Sequence, residues 1–260
     1  MRKLPVNEHK ITAMRKGGAL LHQILVELTE KVRPGVTGRE LDQLAEQKIR
    51  AADAAPAFKH YRGYPASLCV SVNDEVVHGI PSAYAFKSGD VVSLDLGLNY
   101  DHFYTDSAIT VVVTDHAAKT IDQIKSSGAS SAVEKLVVVT SESLYKGIEQ
   151  VRAGIHTGDI GHAIQAHVEQ HRLGVVRDLV GHGVGQSVHE EPSVPNYGTK
   201  GSGAVLKEGQ TIAIEPMVTK GDWHVTTDPD GWTVRTKDGS LAAHFEHTVL
   251  VTQDGYEILT

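Results

Sequence analysis

The 260-residue sequence predicts one domain built from two similar αβ halves, related by a pseudo-twofold axis and sharing a central sheet. Three observations predict it. "VRPGVTGRELDQLAEQKI" from Val32 is echoed by "VRAGIHTGDIGHAIQAHV" from Val151, and "KSGDVVSLDLGL" from Lys87 by "KEGQTIAIEPMV" from Lys207. Thr37 to Thr157, Lys87 to Lys207 and Asp95 to Glu215 then share one offset of 120 residues, in the same order. Self-similarity of this kind sets an architecture, and two copies are too few for a solenoid.

The elements follow from periodicity and punctuation. Residues 8–32 predict a helix, because Ile11, Met14, Leu21, Leu25 and Leu28 share a face, with Gly18 filling the stripe. Pro34-Gly35 ends it. Thr37, with Glu40 three residues on, is a capping box that opens a second helix. Residues 68–78 and 90–98 predict strands, "NYDHFYTD" a hairpin turn and "SAITVVVT" its returning strand. A long helix is expected over 117–150 and another from about Asp159 to His171, before mostly strands over 175–252. The domain reading is a single unit over 1–260, with a short N-terminal segment 1–10 and halves at about 11–115 and 130–252.

Composition is that of an ordinary globular protein. No apolar run reaches the ~20 residues needed to span a bilayer, and "MRKLPVNEHK" lacks the apolar core of a signal peptide. One cysteine, Cys69, makes no internal disulfide, which points to a reducing cytoplasm. A net charge of −7 excludes a general nucleic-acid binder.

Two acids stand inside apolar runs: Asp95 in "VVSLDLGL" and Glu215 in "TIAIEPMV". A buried strand charge is costly unless paired or on a metal. Strand alternation puts Asp95 on the face of Ser93 and Val91, away from Leu94 and Leu96. A second pair follows, Asp106 in "TDSAITVVV" and Glu246 in "FEHTVLVT", offset by 140. The second half therefore carries about 20 extra residues, assigned to the stretch "TKGDWHVTTDPDGWTVRTKDGS". Four carboxylates at one axis cannot all ionise without cations. Two divalent ions would neutralise them, one terminal acid on each and two bridging. In "VGHGVGQSVHEEP" (180–192), His182 between glycines is the candidate nitrogen ligand. The run is no phosphate loop, because its spacing is not G-x-G-x-x-G and no helix start follows. An oxygen-rich set with one imidazole suits Mn, Fe, Co or Zn.

"NDEVVHGIP" (73–81), "SLDLG" (93–97), "YTDSAITV" (104–111), "GHGVGQSVHEEP" (181–192), "IEPMV" (214–218) and "FEHTVLVT" (245–252) together resemble the type I methionine aminopeptidases, from about Ile11 to the end. The resemblance implies the pita-bread fold, an α+β arrangement of two αβ halves around a central antiparallel sheet. It implies that Asp95 binds one metal, Asp106 and Glu246 bridge both, and His182 and Glu215 complete the other. The implied reaction removes an N-terminal methionine ahead of a small second residue, by attack of a metal-bridging hydroxide on the scissile carbonyl. Glu215 shuttles the proton, His78 lies near the scissile amide, and His189 lies by the substrate carbonyl or the peptide beyond it. Tyr61, Tyr64, Cys69 and Trp232, with Phe58, would wall an apolar methionine pocket, with Cys69 a wall residue and not a nucleophile. Val188, where the family often has phenylalanine, puts the pocket edge in question. The implied substrates are the N-termini of nascent polypeptides met transiently at the ribosome, with a monomeric enzyme and no DNA or membrane partner. The chain begins close to the catalytic domain, as expected of the short bacterial form. X-Pro-cleaving relatives share the fold and metal set but usually carry an extra N-terminal domain. A non-catalytic relative would not need all five ligands, and a creatinase-like hydrolase would not need the quartet.

Overall fold

A computed structural model describes residues 8–260; residues 1–7, most of the expected N-terminal segment 1–10, lie outside the described residues. Helix α1 (Glu8–Thr29) buries the expected stripe of Ile11, Met14, Leu21, Leu25 and Leu28 together with Gly18. Helix α2 (Gly38–Ala51) starts at Thr37, whose side chain accepts from the Glu40 amide while Glu40 accepts from the Thr37 amide at 2.8 Å. The helix expected over 117–150 is two helices, α3 (Ile121–Ser127) and α4 (Ala132–Ile148). Gly128, at φ 71°, ends the first in the left-handed region, and Ser131 caps the second with Glu134. Helix α5 is Thr157–Gln170. Its cap position is His156, whose amide donates to Asp159 at 2.9 Å, so the cap falls one residue before Thr157.

The strands that carry the site are β1 (Leu68–Val72), β2 (Val91–Tyr100), β3 (Phe103–Val113), β4 (Gly181–Gly183), β5 (Glu190–Val194), β6 (Thr211–Ile214) and β7 (Glu246–Val251). They run in the order β1-β2-β3-β7-β6-β4-β5, every neighbouring pair antiparallel. The β2–β3 hairpin turns on Asp101 and His102, both at positive φ as a two-residue primed turn demands. The strand expected over 68–78 is divided at Asn73, φ 61°, into β1 and a short strand Glu75–Val77.

The order is symmetric about the β3–β7 contact: β1-β2-β3 on one side, β4-β6-β7 on the other. The repeat is written in the backbone hydrogen bonds. Gly89 donates to Val113 at 2.8 Å and Gly209 to Val251 at 2.9 Å; Phe86 donates to Val36 and Leu206 to Ile155, both at 2.8 Å. Each half has its own apolar core. Leu21, Leu25, Leu41, Ile49, Leu94, Leu96 and Leu98 pack together in the first. Leu136, Leu144, Ile160, Ile164, Ile212, Ile214 and Val249 pack together in the second. These side chains occupy one sheet face, so the alternating positions Ser93, Asp95 and Gly97 are left to the other. The extra segment of the second half forms the hairpin Val225–Thr227/Val234–Thr236, paired onto Glu75–Val77.

Candidate metal centre

The sheet register assembles the acids. Asp95 on β2 and Glu246 on β7 both pair with Ala108 on β3, so the three lie in one row across three strands. Paired residues share a face, and so do residues two apart on a strand. Asp106, two residues before Ala108, therefore joins Asp95 and Glu246, with only a methyl at the centre of the row. Cys69 pairs with Asp95 from the other side. Ile214 pairs with His247 and β6 ends there, so Glu215, the next residue, falls beside Glu246. On β4, His182 sits between Gly181 and Gly183 because side chains there have no room. A Cβ on Gly181 would lie 2.4 Å from the Ala213 carbonyl, and one on Gly183 2.3 Å from that of Glu191.

Asp106, His182 and Glu246 each offer one ligand atom within 4.8 Å of the others. His182 Nε2 is 3.4 Å from Glu215 Oε1. The other ring nitrogen, Nδ1, is 2.9 Å from the Gly183 carbonyl. A carbonyl only accepts, so Nδ1 carries the proton and Nε2 presents its lone pair to the acids, the usual outer support of a metal-ligating histidine. Burial pushes the carboxyls of Asp95, Glu215 and Glu246 well above their usual range, reinforced by repulsion from their neighbours; burial alone raises Asp106, to about 7. Burial also holds His182 down, at about 4. Asp95 Oδ1, Asp106 Oδ1 and Glu246 Oε1 are buried with no hydrogen-bond partner. Buried oxygens of this kind are satisfied by partners or by cations. Orphaned carboxylate oxygens beside a neutral imidazole are a donor set that fits divalent ions.

The centre lies at the end of a cavity of about 310 Å³. Its walls bring together every site residue expected from the sequence: Phe58, Tyr61, Tyr64, Cys69, His78, Asp95, Asp106, His182, His189, Glu215, Trp232 and Glu246. Trp232 comes from the turn of the second-half hairpin and meets Tyr64 edge-on at 5.2 Å and His78 at 6.3 Å. Tyr64 donates its hydroxyl to the Gly79 carbonyl at 2.9 Å, which fixes the ring. His189 stacks on Tyr61, its Nδ1 lies 3.0 Å from the Tyr61 hydroxyl, and its ring centroid is 4.2 Å from that of His182. His78 is held at φ 59°, a strained conformation for a side-chain-bearing residue and one that clusters at functional sites. Burial keeps its ring neutral, with a pKa near 4. Burial raises the Cys69 thiol well above its usual value, so it is a poor nucleophile. Val188 is buried against Phe58, Tyr64 and Cys69 in the cluster behind the cavity and is not among its lining residues.

One residue of this site escapes the sequence pattern. His244 is 1% exposed, its Nε2 lies 3.6 Å from Glu215 Oε2, and neither ring nitrogen has a hydrogen-bond partner. Burial lowers its pKa to about 3. Its position two residues before Glu246 was the available signal; among fifteen histidines it carried no repeat partner.

A strand cage of acids with one imidazole, on a sheet made of two pseudo-symmetric halves, defines a metallohydrolase class. Residues 12–253 match metallopeptidase family M24, and the chain belongs to that family. Within it the chain falls among the type I methionine aminopeptidases. It is 47% identical to methionine aminopeptidase of Clostridium perfringens over 98% of this chain and 97% of that one. It is 44% identical to methionine aminopeptidase 1 of Bacillus subtilis over 95% and 94%. The crystal structure of the Thermotoga maritima methionine aminopeptidase superposes with a TM-score of 0.91 at 43% identity, covering 100% of this chain and 99% of that one. The pita-bread fold extends to the prolidase of Pyrococcus horikoshii, TM-score 0.71 at 23% identity, of which this chain covers 62%. That likeness is one of fold alone.

Proposed function

We propose that this chain hydrolyses the first peptide bond of polypeptides that begin with methionine, preferring a small second residue. One observation carries the reading: buried, partnerless carboxylate oxygens and a neutral imidazole converge at the end of an apolar, aromatic-walled cavity. Two divalent ions would be held there, Asp95 on one, His182 and Glu215 on the other, with Asp106 and Glu246 shared; Co, Mn, Fe and Zn all suit the donors. When bound, such ions supply Lewis acidity for the scissile carbonyl and a water nucleophile available near neutral pH.

The protein's own groups do the rest. Phe58, Tyr61, Tyr64, Cys69 and Trp232 enclose the methionine side chain, whose polarisable thioether favours aromatic and sulfur contacts. Glu215, in the cage beside His182, moves the proton from water to the leaving amine. His78, neutral and rigidly placed, donates to the scissile amide, and His189, fixed by Tyr61, contacts the carbonyl or the following peptide. We assign the reaction to the cytoplasm, on nascent chains met transiently at the ribosome, by a monomer. No helix among the described residues is long and apolar enough to cross a membrane.

The test compares Met-Ala-Ser with an X-Pro peptide, after exhaustive chelation and after adding back Mn, Co, Fe or Zn. Metal-restored cleavage of Met-Ala-Ser is expected, and its near-abolition in Glu215→Gln with the fold intact. Cleavage of the X-Pro bond alone overturns the substrate assignment; full activity after chelation overturns the metal requirement.

A further inference from the structure

Helices α4 and α5 pack side by side on the second half, and by the groove between them His167 and His171 come together with Glu142. His167 and His171 are four residues apart at the C-terminal end of α5, so they lie one turn apart on the same face. Their ring centroids are 4.8 Å apart, tilted by 55°. Glu142 on α4 reaches across, with Oε2 3.1 Å from His167 Nε2. His171 Nδ1 is 2.9 Å from the His167 carbonyl. None of the three lines the catalytic cavity.

The acceptors assign the protons. A backbone carbonyl and an ionised carboxylate can only accept, so His167 carries its proton on Nε2 and His171 on Nδ1. Each ring is left with one lone pair, on Nδ1 of His167 and Nε2 of His171. This is how metal-ligating histidines are usually supported: the remote N–H is donated to a carboxylate or carbonyl, which fixes the tautomer and raises ligand basicity. We propose that His167 and His171 form a binding site for a divalent transition ion of imidazole-preferring chemistry, such as Zn or Ni, with Glu142 orienting His167 and water completing the coordination.

The geometry permits this at small cost. Zn–N bonds of about 2.0–2.1 Å need the two nitrogens roughly 3 Å apart, within reach of two rings whose centroids are 4.8 Å apart. Both rings are only partly buried, so an ion and its waters can reach them. His167 is also held below its ordinary pKa, by desolvation first and then by His171, so it is neutral and free to bind at neutral pH. Lys146, on the same groove, opposes a cation there but is drawn to Glu149 at 3.2 Å. The site would give the chain one more ion than its catalytic centre holds, and that ion would tie the last turn of α5 down.

Chelated full-length protein is titrated with Zn by calorimetry and by equilibrium dialysis, alongside His171→Gln, Glu142→Gln and His162→Ala. His171→Gln removes the ligand nitrogen. The expected result is one Zn fewer in His171→Gln, and roughly tenfold weaker binding at this site in Glu142→Gln, the usual size of an outer-support loss. His162→Ala, on the same helix, should match the wild type, and the Mn-dependent peptidase activity of all three should be unchanged. Identical Zn stoichiometry and affinity in the wild type and His171→Gln overturns the proposal. Because peptidase activity is read separately, failure here leaves the catalytic assignment untouched.

Discussion

Replacing Asp106 by asparagine should stabilise the metal-free protein while removing its metal-dependent activity. Asp106 is 4% exposed, and burial lifts its pKa from 3.8 to about 7. A rise of roughly 3 units corresponds to about 4 kcal/mol spent on holding that carboxyl ionised above pH 7. The sign follows from the direction of the shift. A carboxyl raised in the folded state costs nothing below pH 4, where both states are protonated; its penalty grows from about pH 4 to about pH 7 and is full above that. An asparagine amide carries no charge and can donate to the neighbouring Asp95 or Glu246 oxygens. The gain is shared among interacting acids, so about 4 kcal/mol is its ceiling; at about 2 °C per kcal/mol for a chain of this size, the melting temperature rises by at most about 8 °C. The assay is thermal unfolding of chelated wild type and variant from pH 5 to 8. The buried histidines are common to both proteins and largely cancel in the difference. The variant's advantage should be largest at pH 8 and shrink towards pH 5. Adding Mn should reverse the order, because only the wild type keeps the full ligand set. A chelated variant less stable than the wild type at pH 8, or an advantage that does not vary with pH, would refute the account of the quartet as a repulsive cage relieved by cations.

Further expectations concern residues around the cage and the closure of the fold. His244→Leu should lower kcat about tenfold with little change in KM, because Glu215 loses the ring beside it. His244→Gln, which keeps a donor there, should recover most of that loss, and equal kinetics for the two variants would deny His244 a role in placing Glu215. Val188→Phe adds volume to a position 3% exposed and should cost about 1–3 kcal/mol while raising KM for methionyl peptides. Unchanged melting and unchanged kinetics across a series of first-residue side chains would remove Val188 from the pocket. Gly18→Ala would put a Cβ 2.1 Å from the Leu259 carbonyl, so the backbone at Leu259 must move. A loss of about 1–3 kcal/mol is expected, measured by denaturant titration, and wild-type stability would show that the C-terminus is not seated on α1.

The repeat was legible because each half must solve the same packing problem. Both need a capped helix, a Lys-x-Gly turn and an apolar strand with an acid in it or just past it, so residues 120 apart match in type. The cage was legible for a related reason: an acid inside an apolar strand is too costly to be incidental. Other features depended on contacts that local pattern does not record. The helix over 117–150 breaks at Gly128 because a left-handed residue intervenes, in a stretch whose composition otherwise suits a helix. The cap of α5 is His156, with Asp159 its partner, although Thr157 is the better capping residue by type.

The sequence alone determined the two-half architecture and singled out the four acids and the imidazole, because spacing and burial cost are properties of the chain itself; the aromatic wall of the cavity came from the resemblance to a family. Tertiary structure alone decided that Asp95, Ala108 and Glu246 form one row, that His244 stands behind Glu215, that Val188 lies behind the cavity wall, and that His167 and His171 face Glu142. Those facts depend on strand register and helix docking, which bring together residues far apart in the chain and leave no periodic trace in it.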